Sequence, residues 1–173
     1  DLMRLISASE AVRVYCSGGQ DVNHLDERYD GRRPDILDNS YTTVDFANGV
    51  RAILDLSMFA DGATNQEEIT AVGDKARLDV LIPDGEIVYS PRVGFMNPKQ
   101  VERTTVHVDE TALNAGSHHG STFYEHQRFN AAVRGEGAVE VTARDGLMAV
   151  AIGTAAEISA REHRVVEMSE LGF

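Results

Sequence analysis

The stretch SYTTVDFANGVRAILDLSMF, residues 40–59, decides the fold class. Before Asn48-Gly49, Val44 and Phe46 alternate with polar residues. After it, apolar residues at every second position alternate mostly with polar ones: Val50, Ala52, Leu54, Leu56 and Met58. A period of two is typical of a strand with one buried face. Asn-Gly readily adopts the positive φ angles that a two-residue hairpin turn requires. The stretch therefore predicts an antiparallel β-hairpin.

Similar short patterns recur along the chain. β-Branched residues predict a strand over residues 11–18, and a turn near Gly73-Asp74 separates two alternating runs within residues 67–82. Further short strands are predicted over residues 85–91, 100–108 and 163–168. The polar, turn-rich residues 19–39 predict a long loop.

The spacing of apolar residues becomes helical in the last third of the chain. It predicts helices over residues 121–135 and 142–163, besides a short helix at the start of the sequence. Thr122 with Glu125, and Thr142 with Asp145, have the spacing of a capping box. In the last helix, the stripe expected to be buried is Leu147, Val150, Ala151, Thr154 and Ile158.

These elements predict an α+β fold in a single domain. We expect an open, largely antiparallel (mixed) β-sheet of about six to eight strands, with three helices packed on one face. Some strands carry apolar residues at both parities, such as Ile53 beside Leu54. An apolar second face would need covering, which predicts a homodimer or higher homo-oligomer through the sheet.

Composition limits the partners and the compartment. The formal net charge is -12, from 28 acidic and 16 basic residues, which disfavours nucleic acid. Cys16, the single cysteine, lies in an apolar run, as expected of a buried thiol in a reducing cytoplasm. The uncharged apolar residues 146–156 are too few to span a bilayer, so no membrane association is expected.

Most candidate binding or catalytic motifs in the sequence lack the residue spacing that their chemistry requires. The acidic residues 26–37 resemble a calcium-binding loop, but Arg28 and Leu37 occupy positions that need oxygen ligands. A solvated loop with arginine–carboxylate pairs is expected there instead. Neither a glycine-rich dinucleotide or phosphate loop nor a serine nucleophile elbow occurs in the sequence.

The segment HHGSTFYEH, residues 118–126, concentrates polar residues immediately before a predicted helix. Its histidines do not have zinc-ligand spacing. A polar loop on a rigid scaffold suits hydrogen bonding to a hydroxylated ligand, although such residues can equally well face only water. The candidate substrate-binding residues are His118, His119, Tyr124 and His126.

Several stretches together resemble the carboxy-terminal domain of the glucose-fructose oxidoreductase, inositol dehydrogenase and MocA (Gfo/Idh/MocA) family. They are residues 1–6 (DLMRLI), 11–14 (AVRV), 38–57, 67–80 and 124–171, in the order of the family. Residues 18–38 and 91–117 carry little of the resemblance.

The resemblance implies a longer enzyme that uses NAD or NADP to oxidise a sugar, polyol or related hydroxylated molecule. An amino-terminal Rossmann domain, absent from this chain, would bind the cofactor and carry a Glu-Lys-Pro lysine, a pattern that neither Lys75 nor Lys99 fits. Asp1 matches an aspartate that follows the catalytic histidine, so the catalytic residues would lie upstream of Asp1. Asp1 would help to organise the domain junction. The chain alone is expected to bind no cofactor and to be inactive.

The alternative is a stand-alone, non-enzymatic dimerisation or ligand-binding module. It accounts equally well for the two-sided strands and for the lack of catalytic motifs. The two hypotheses differ in what precedes Asp1. The enzyme requires an upstream strand with a glycine-rich loop, whereas the module requires a start codon a few residues ahead.

Overall fold

The computed structural model describes residues 1–116 and 118–172. Its contacts group into two compact units, Asp1–Asp61 with Val141–Phe173, and Gly62–Glu140. The predicted α+β class is confirmed, since the described residues form eight strands and several helices. All strand pairs are antiparallel, and the strands divide equally between two four-stranded sheets.

The elements follow one another in an order close to the predicted one. They are α1 (Leu2–Ser7), β1 (Ala11–Gly19), β2 (Asn39–Phe46), β3 (Arg51–Ser57), β4 (Glu67–Val72), β5 (Ala76–Ile82), β6 (Glu86–Pro91), β7 (Glu102–Thr105), α2 (Glu110–Asn114), α3 (Ser121–Val133), α4 (Ala143–Glu162) and β8 (Val166–Glu167). Short 3₁₀ turns cover His118–Gly120 and Met168–Leu171.

The first unit is a sheet in the order β3-β2-β1-β8 with α4 packed on one face. Val14, Val44 and Val166 are completely buried there, and Met148, Ala151 and Ala155 contribute the helix side of the same core. Small side chains on α4 allow its backbone to approach the sheet closely. Helix cover on one face, as predicted, therefore holds for this unit.

The predicted stripe on α4 is only partly right. Leu147 and Val150 are 46% and 67% exposed, whereas Met148 and Ser159 are buried. Ser159 faces the sheet because its hydroxyl accepts a hydrogen bond from the Cys16 amide (2.8 Å) and donates one to the Arg164 carbonyl (2.6 Å). Apart from Met148, the α4 residues buried against the sheet are small or polar, where the sequence pattern favoured larger apolar ones.

Cys16 is buried, as predicted. The hydroxyl of Thr42 donates a hydrogen bond to its sulfur over 3.2 Å.

The hairpin predicted over residues 40–59 is confirmed as β2 and β3, with Thr43 opposite Ile53. Its turn is longer than predicted, because the Phe46 amide donates to the Val50 carbonyl and the Gly49 amide donates to the Phe46 carbonyl (both 2.9 Å). Of the Asn-Gly pair, only Gly49 has a positive φ, +86°. This geometry is a three-residue loop that ends in a left-handed glycine.

The two predicted capping boxes have different outcomes. At α4, Thr142 and Asp145 form the predicted reciprocal bonds. At α3, the box of Thr122 and Glu125 is wrong, because the helix begins at Ser121 with Gly120 as its N-cap. Thr122 therefore lies inside the first turn of the helix.

The second unit contains the sheet β4-β5-β6-β7 together with α2 and α3. The predicted turn near Gly73-Asp74 is confirmed by a hydrogen bond from the Gly73 amide to the Ala76 carbonyl. Val88 and Ala112 are buried, and most other described residues of this unit are exposed. Among the residues described, no helix combines the length and apolar character needed to cross a membrane.

The loop between β1 and β2 is irregular, as predicted, but it is not held by arginine–carboxylate pairs. Arg28 donates instead to the carbonyls of Leu25 and Glu27. The ion pair found within this described loop joins His24 Nδ1 to Glu27 Oε1 over 2.8 Å.

Candidate functional site

The histidine pair of the sequence prediction lies in a strained turn. His118, His119 and Gly120 have φ values of +60°, +52° and +87°. A non-glycine residue in this region costs of order 1 kcal/mol or more. The turn is held by the hydroxyl of Ser121, which donates to the His118 carbonyl over 2.8 Å. Strain of this kind concentrates at functional sites.

Two side chains orient the imidazoles. His118 Nδ1 and Thr122 Oγ1 form a hydrogen bond of 3.1 Å. His119 Nε2 donates to Gln66 Oε1 over 3.3 Å, across 53 residues of sequence. Each contact uses one ring nitrogen, so the chemistry of imidazole leaves the other able to bond a hydroxyl group. Both side chains are exposed to solvent.

The other two candidates lie on different sides of α3. His126 is exposed and follows Thr122 by four residues, so it lies one turn further along the same helix face. Tyr124 is half-buried and packs edge-on against Phe123, with ring centroids 5.7 Å apart. His118, through Thr122, and His126 thus lie along one face of α3, whereas Tyr124 lies on another face and His119 is bonded to Gln66. Gln66 was missed, because nothing in the local sequence links it to the histidines.

Among the residues that the structure describes, no cluster of metal-ligating side chains occurs at this turn. Within residues 1–116 and 118–172, no three histidine, cysteine or acidic side chains converge as ligands would. The donors around His118 and His119 are a hydroxyl and an amide oxygen, which suit hydrogen bonding rather than tight coordination of a transition metal.

The described residues do not fit a nicotinamide dinucleotide either. Such cofactors bind at the carboxyl ends of parallel strands, where a glycine-rich turn leads into a helix, whereas the strand pairs here are antiparallel. The glycine pair Gly18-Gly19 lies inside β1, opposite Ser40 and Asn39. A Cβ at Gly18 would come 2.7 Å from the Asn39 carbonyl oxygen, so close strand packing accounts for this glycine.

A shallow cavity lies on the face of the first sheet that α4 does not cover. Arg13, Tyr15, Thr43, Asp45 and Val165 line it. Arg13 Nε and Asp45 Oδ2 form an ion pair of 2.9 Å across the sheet. Tyr15 is 42% exposed on this face. The face therefore carries an aromatic ring beside the Arg13–Asp45 ion pair.

A nearly buried arginine, Arg4 on α1, pairs with three carboxylates. Only 9% of its side chain is exposed, and it donates to Asp1 Oδ1 (2.8 Å), to both oxygens of Glu10 (2.7 and 2.9 Å) and to Asp145 Oδ1 (3.2 Å). The bond to Glu10 raises the pKa of Arg4, and the same bond lowers the pKa of Glu10. Hydrogen bonds from Thr142, and then from Arg4, lower the pKa of Asp145 to about 2.

This cluster joins the start of α1, the segment before β1 and the first turn of α4. Local sequence patterns do not predict this cluster, since Arg4 and Asp145 are 141 positions apart. The contact shows that Asp1, the residue predicted at a domain junction, is tied to the body of the first unit.

Comparison with known proteins bears on the fold and the family. No curated protein matches the chain in sequence. Levoglucosan dehydrogenase, in a complex with NADH and levoglucosan, has a TM-score of 0.72 at 17% identity, with 92% of this chain and 45% of that chain covered. An oxidoreductase domain protein from Kribbella flavida has a TM-score of 0.74 at 18% identity, over 97% and 47% of the two chains.

A third solved structure is an oxidoreductase from Agrobacterium radiobacter in complex with NAD+, L-tartaric acid and magnesium. It has a TM-score of 0.71 at 17% identity, over 99% of this chain and 47% of that one. The chain thus spans less than half the length of these proteins. At such low identity, the likeness shows a shared fold.

The sequence model of the oxidoreductase family's C-terminal alpha/beta domain, GFO_IDH_MocA_C, matches residues 7–168. This match covers most of the chain and agrees with the two antiparallel sheets and helices described above. The chain therefore belongs to the Gfo/Idh/MocA oxidoreductase family, of which it is a carboxy-terminal α/β domain.

Proposed function

We propose that this chain is the substrate-side domain of an NAD(P)-dependent oxidoreductase that acts on a CH–OH group of a sugar, polyol or related hydroxylated small molecule. The observation that carries the proposal is the family match over residues 7–168. The solved structures of similar fold support the substrate class, since they contain levoglucosan, L-sorbose and L-tartaric acid. All three are small and rich in hydroxyl groups.

The cofactor would be held outside this chain. An amino-terminal Rossmann domain would bind NAD or NADP, which accepts the hydride when bound. Hydride removal also requires a group that takes the hydroxyl proton of the substrate, and we propose that this group lies upstream of Asp1. The chain's own contribution is to bind and orient the substrate. A free buried thiol at Cys16 is consistent with a cytoplasmic enzyme.

We propose His118, His119, Tyr124 and His126 as the substrate contacts. The strained turn, with one imidazole bonded to Thr122 and the other to Gln66, supports the histidine pair most directly. Rings fixed in this way hold their remaining nitrogens in a defined direction, which a ligand with several hydroxyl groups can use. Tyr124 has weaker support, because it lies on another side of α3.

Replacing His119 by alanine in the full-length enzyme should reduce kcat/KM by about tenfold, the loss expected for one hydrogen bond to substrate. Most of the effect should appear as a higher KM. The melting temperature should stay within about 1 °C of wild type, because the side chain is exposed and adds little packing. Steady-state kinetics and thermal unfolding measure the two quantities.

His107→Ala is the matched control, since His107 is an exposed histidine of the same unit outside the proposed contacts. It should leave both kinetics and melting temperature unchanged. If His119→Ala retained normal kinetics, or lost stability and activity in parallel, the histidine would be a structural or water-facing residue.

We also propose that the full-length protein is a homodimer or higher homo-oligomer that associates through the uncovered face of the first sheet. Tyr15, Thr43 and Ile53 lie side by side across β1, β2 and β3 on this face, and Ile53 is 63% exposed. Burying such side chains against a second copy would remove apolar surface from water.

Light scattering of the full-length protein at micromolar concentration should therefore give at least twice the monomer mass. Ile53→Asp should shift the protein to monomer, because it places an unpaired charge in the contact. Val150→Asp, an equally exposed site on α4, serves as the control and should leave the mass unchanged. A monomeric wild-type protein would contradict this assembly.

A further inference from the structure

We infer that Arg4 is a positioning residue, which fixes the segment leading into α1 against the start of α4 and so sets the placement of the group that abstracts the substrate proton. The inference rests on the proposed function, because it assumes that this group lies upstream of Asp1. It adds a role for a residue within this chain.

Helix α1 has one apolar side chain, Met3, that packs against the core. The helix has six residues, and Leu2, Leu5 and Ile6 are 46%, 76% and 50% exposed. Its N-cap, Asp1, makes no side-chain cap bond to the helix. A helix this short is not stable through its own backbone bonds. Asn48 holds the end of α1 through the Ser7 carbonyl (2.9 Å), and Arg4 is the side chain that ties the first turn of α1 to Glu10 and Asp145.

The partners of Arg4 do not depend on it equally. Asp145 keeps its bonds to Thr142 in the capping box, so α4 retains its start without the guanidinium. Glu10 lies directly before β1, which is fixed by pairing with β2. Asp1 precedes α1, and its carboxylate is held by Arg4 over 2.8 Å. Loss of Arg4 should therefore displace residues 1–7 while the sheet and α4 stay in place.

Repulsion between carboxylates should increase the displacement of residues 1–7. Three carboxylates, from Asp1, Glu10 and Asp145, converge on one nearly buried guanidinium. Without the positive charge they would repel one another, and Asp1, at the start of α1, is the partner with most freedom to move away. A displacement of about 1 Å at the reacting groups can reduce a rate by about a hundredfold.

The test uses the full-length enzyme with Arg4→Met and Arg4→Lys. Arg4→Met keeps much of the side-chain volume and removes the charge, and it should lower kcat at least tenfold with KM within about twofold. Arg4→Lys restores the charge and should recover part of the lost kcat. Amide hydrogen exchange of residues 2–7 should be faster in Arg4→Met than in wild type.

Arg164→Met is the matched control, since Arg164 also bonds two carboxylates, Glu162 and Glu170, but lies at the other end of α4. It should leave kcat unchanged. Wild-type kcat in Arg4→Met would overturn the inference, as would an equal fall of kcat in Arg164→Met.

The two proposals fail in different ways. If the wild-type full-length protein showed no NAD(P)-dependent turnover, the proposed function would fail. Hydrogen exchange would then still decide whether Arg4 anchors α1, and unchanged exchange of residues 2–7 in Arg4→Met would overturn the anchoring itself.

Discussion

Replacing Asp38 by asparagine should lower the melting temperature of the protein by about 10 °C and free the start of the loop that follows β1. Asp38 is completely buried at the start of β2. Its carboxylate accepts hydrogen bonds from the backbone amides of Asp21 (3.0 Å), Val22 (2.8 Å) and Asn23 (2.6 Å). The asparagine amide group would turn a donor towards these donors.

The backbone of Asp38 also forms hydrogen bonds to residues at the ends of β1 and β3. Its amide donates to the Gly19 carbonyl at the end of β1, and its carbonyl accepts from the Met58 amide just after β3. One residue thus ties the ends of three strands to the loop. Loss of the carboxylate should therefore affect unit stability as well as local order.

The effect should depend on pH. Burial raises the pKa of Asp38, but hydrogen bonds from Asn23, Asp21 and Val22 outweigh it and hold the pKa well below its ordinary 3.8. A carboxyl group with a lowered pKa in the folded state stabilises that state above the ordinary value, and this contribution disappears as pH falls towards the folded pKa. The stability gap between wild type and Asp38→Asn should hence be largest above about pH 4 and shrink under more acidic conditions.

Thermal unfolding between pH 2 and pH 7 measures this gap, and hydrogen exchange of residues 21–23 reports on the loop. Asp35→Asn is the control, since Asp35 is an exposed aspartate in the same loop. Equal melting temperatures for Asp38→Asn and Asp35→Asn at pH 7 would show that the carboxylate does not anchor the loop.

The contacts of Asp38 are an example of structure that local sequence patterns do not predict. The hairpin β2–β3 and the capping box of α4 depend on residues a few positions apart, so local patterns predicted them. The backbone amides that bond the Asp38 carboxylate reach it only when residues 21–23 lie beside the start of β2. That contact spans 15 to 17 positions through an irregular loop, and periodicity carries no information about it.

The candidate site has the same limit. The polar composition of residues 118–126 led to the prediction of the histidines as ligand contacts, but it gave neither the left-handed turn nor the bond from His119 to Gln66. The error at α3 has a similar origin, since Thr122 and Glu125 have capping spacing but Gly120 begins the helix. Spacing predicts which residues can interact locally, whereas the tertiary structure decides which interaction forms.

The 173-residue chain alone should show no dehydrogenase turnover, in contrast to the full-length protein. The described strand pairs are antiparallel, whereas dinucleotides bind at the ends of parallel strands, and we place the proton-abstracting group upstream of Asp1. Hydride transfer needs both a bound nicotinamide and such a group. With both missing, the loss should exceed about four orders of magnitude, since each contributes multiplicatively to the rate.

The decisive comparison measures NADH or NADPH formation by both proteins against a panel of polyols and sugars. The full-length protein should turn over at least one of them, and the chain alone should match buffer. A mixture of the chain with the separately produced amino-terminal domain controls for misfolding, because restored turnover would show that the chain is competent. Robust turnover by the 173 residues alone would overturn the proposed division of labour, whereas ligand binding without turnover by the full-length protein would favour a non-enzymatic module.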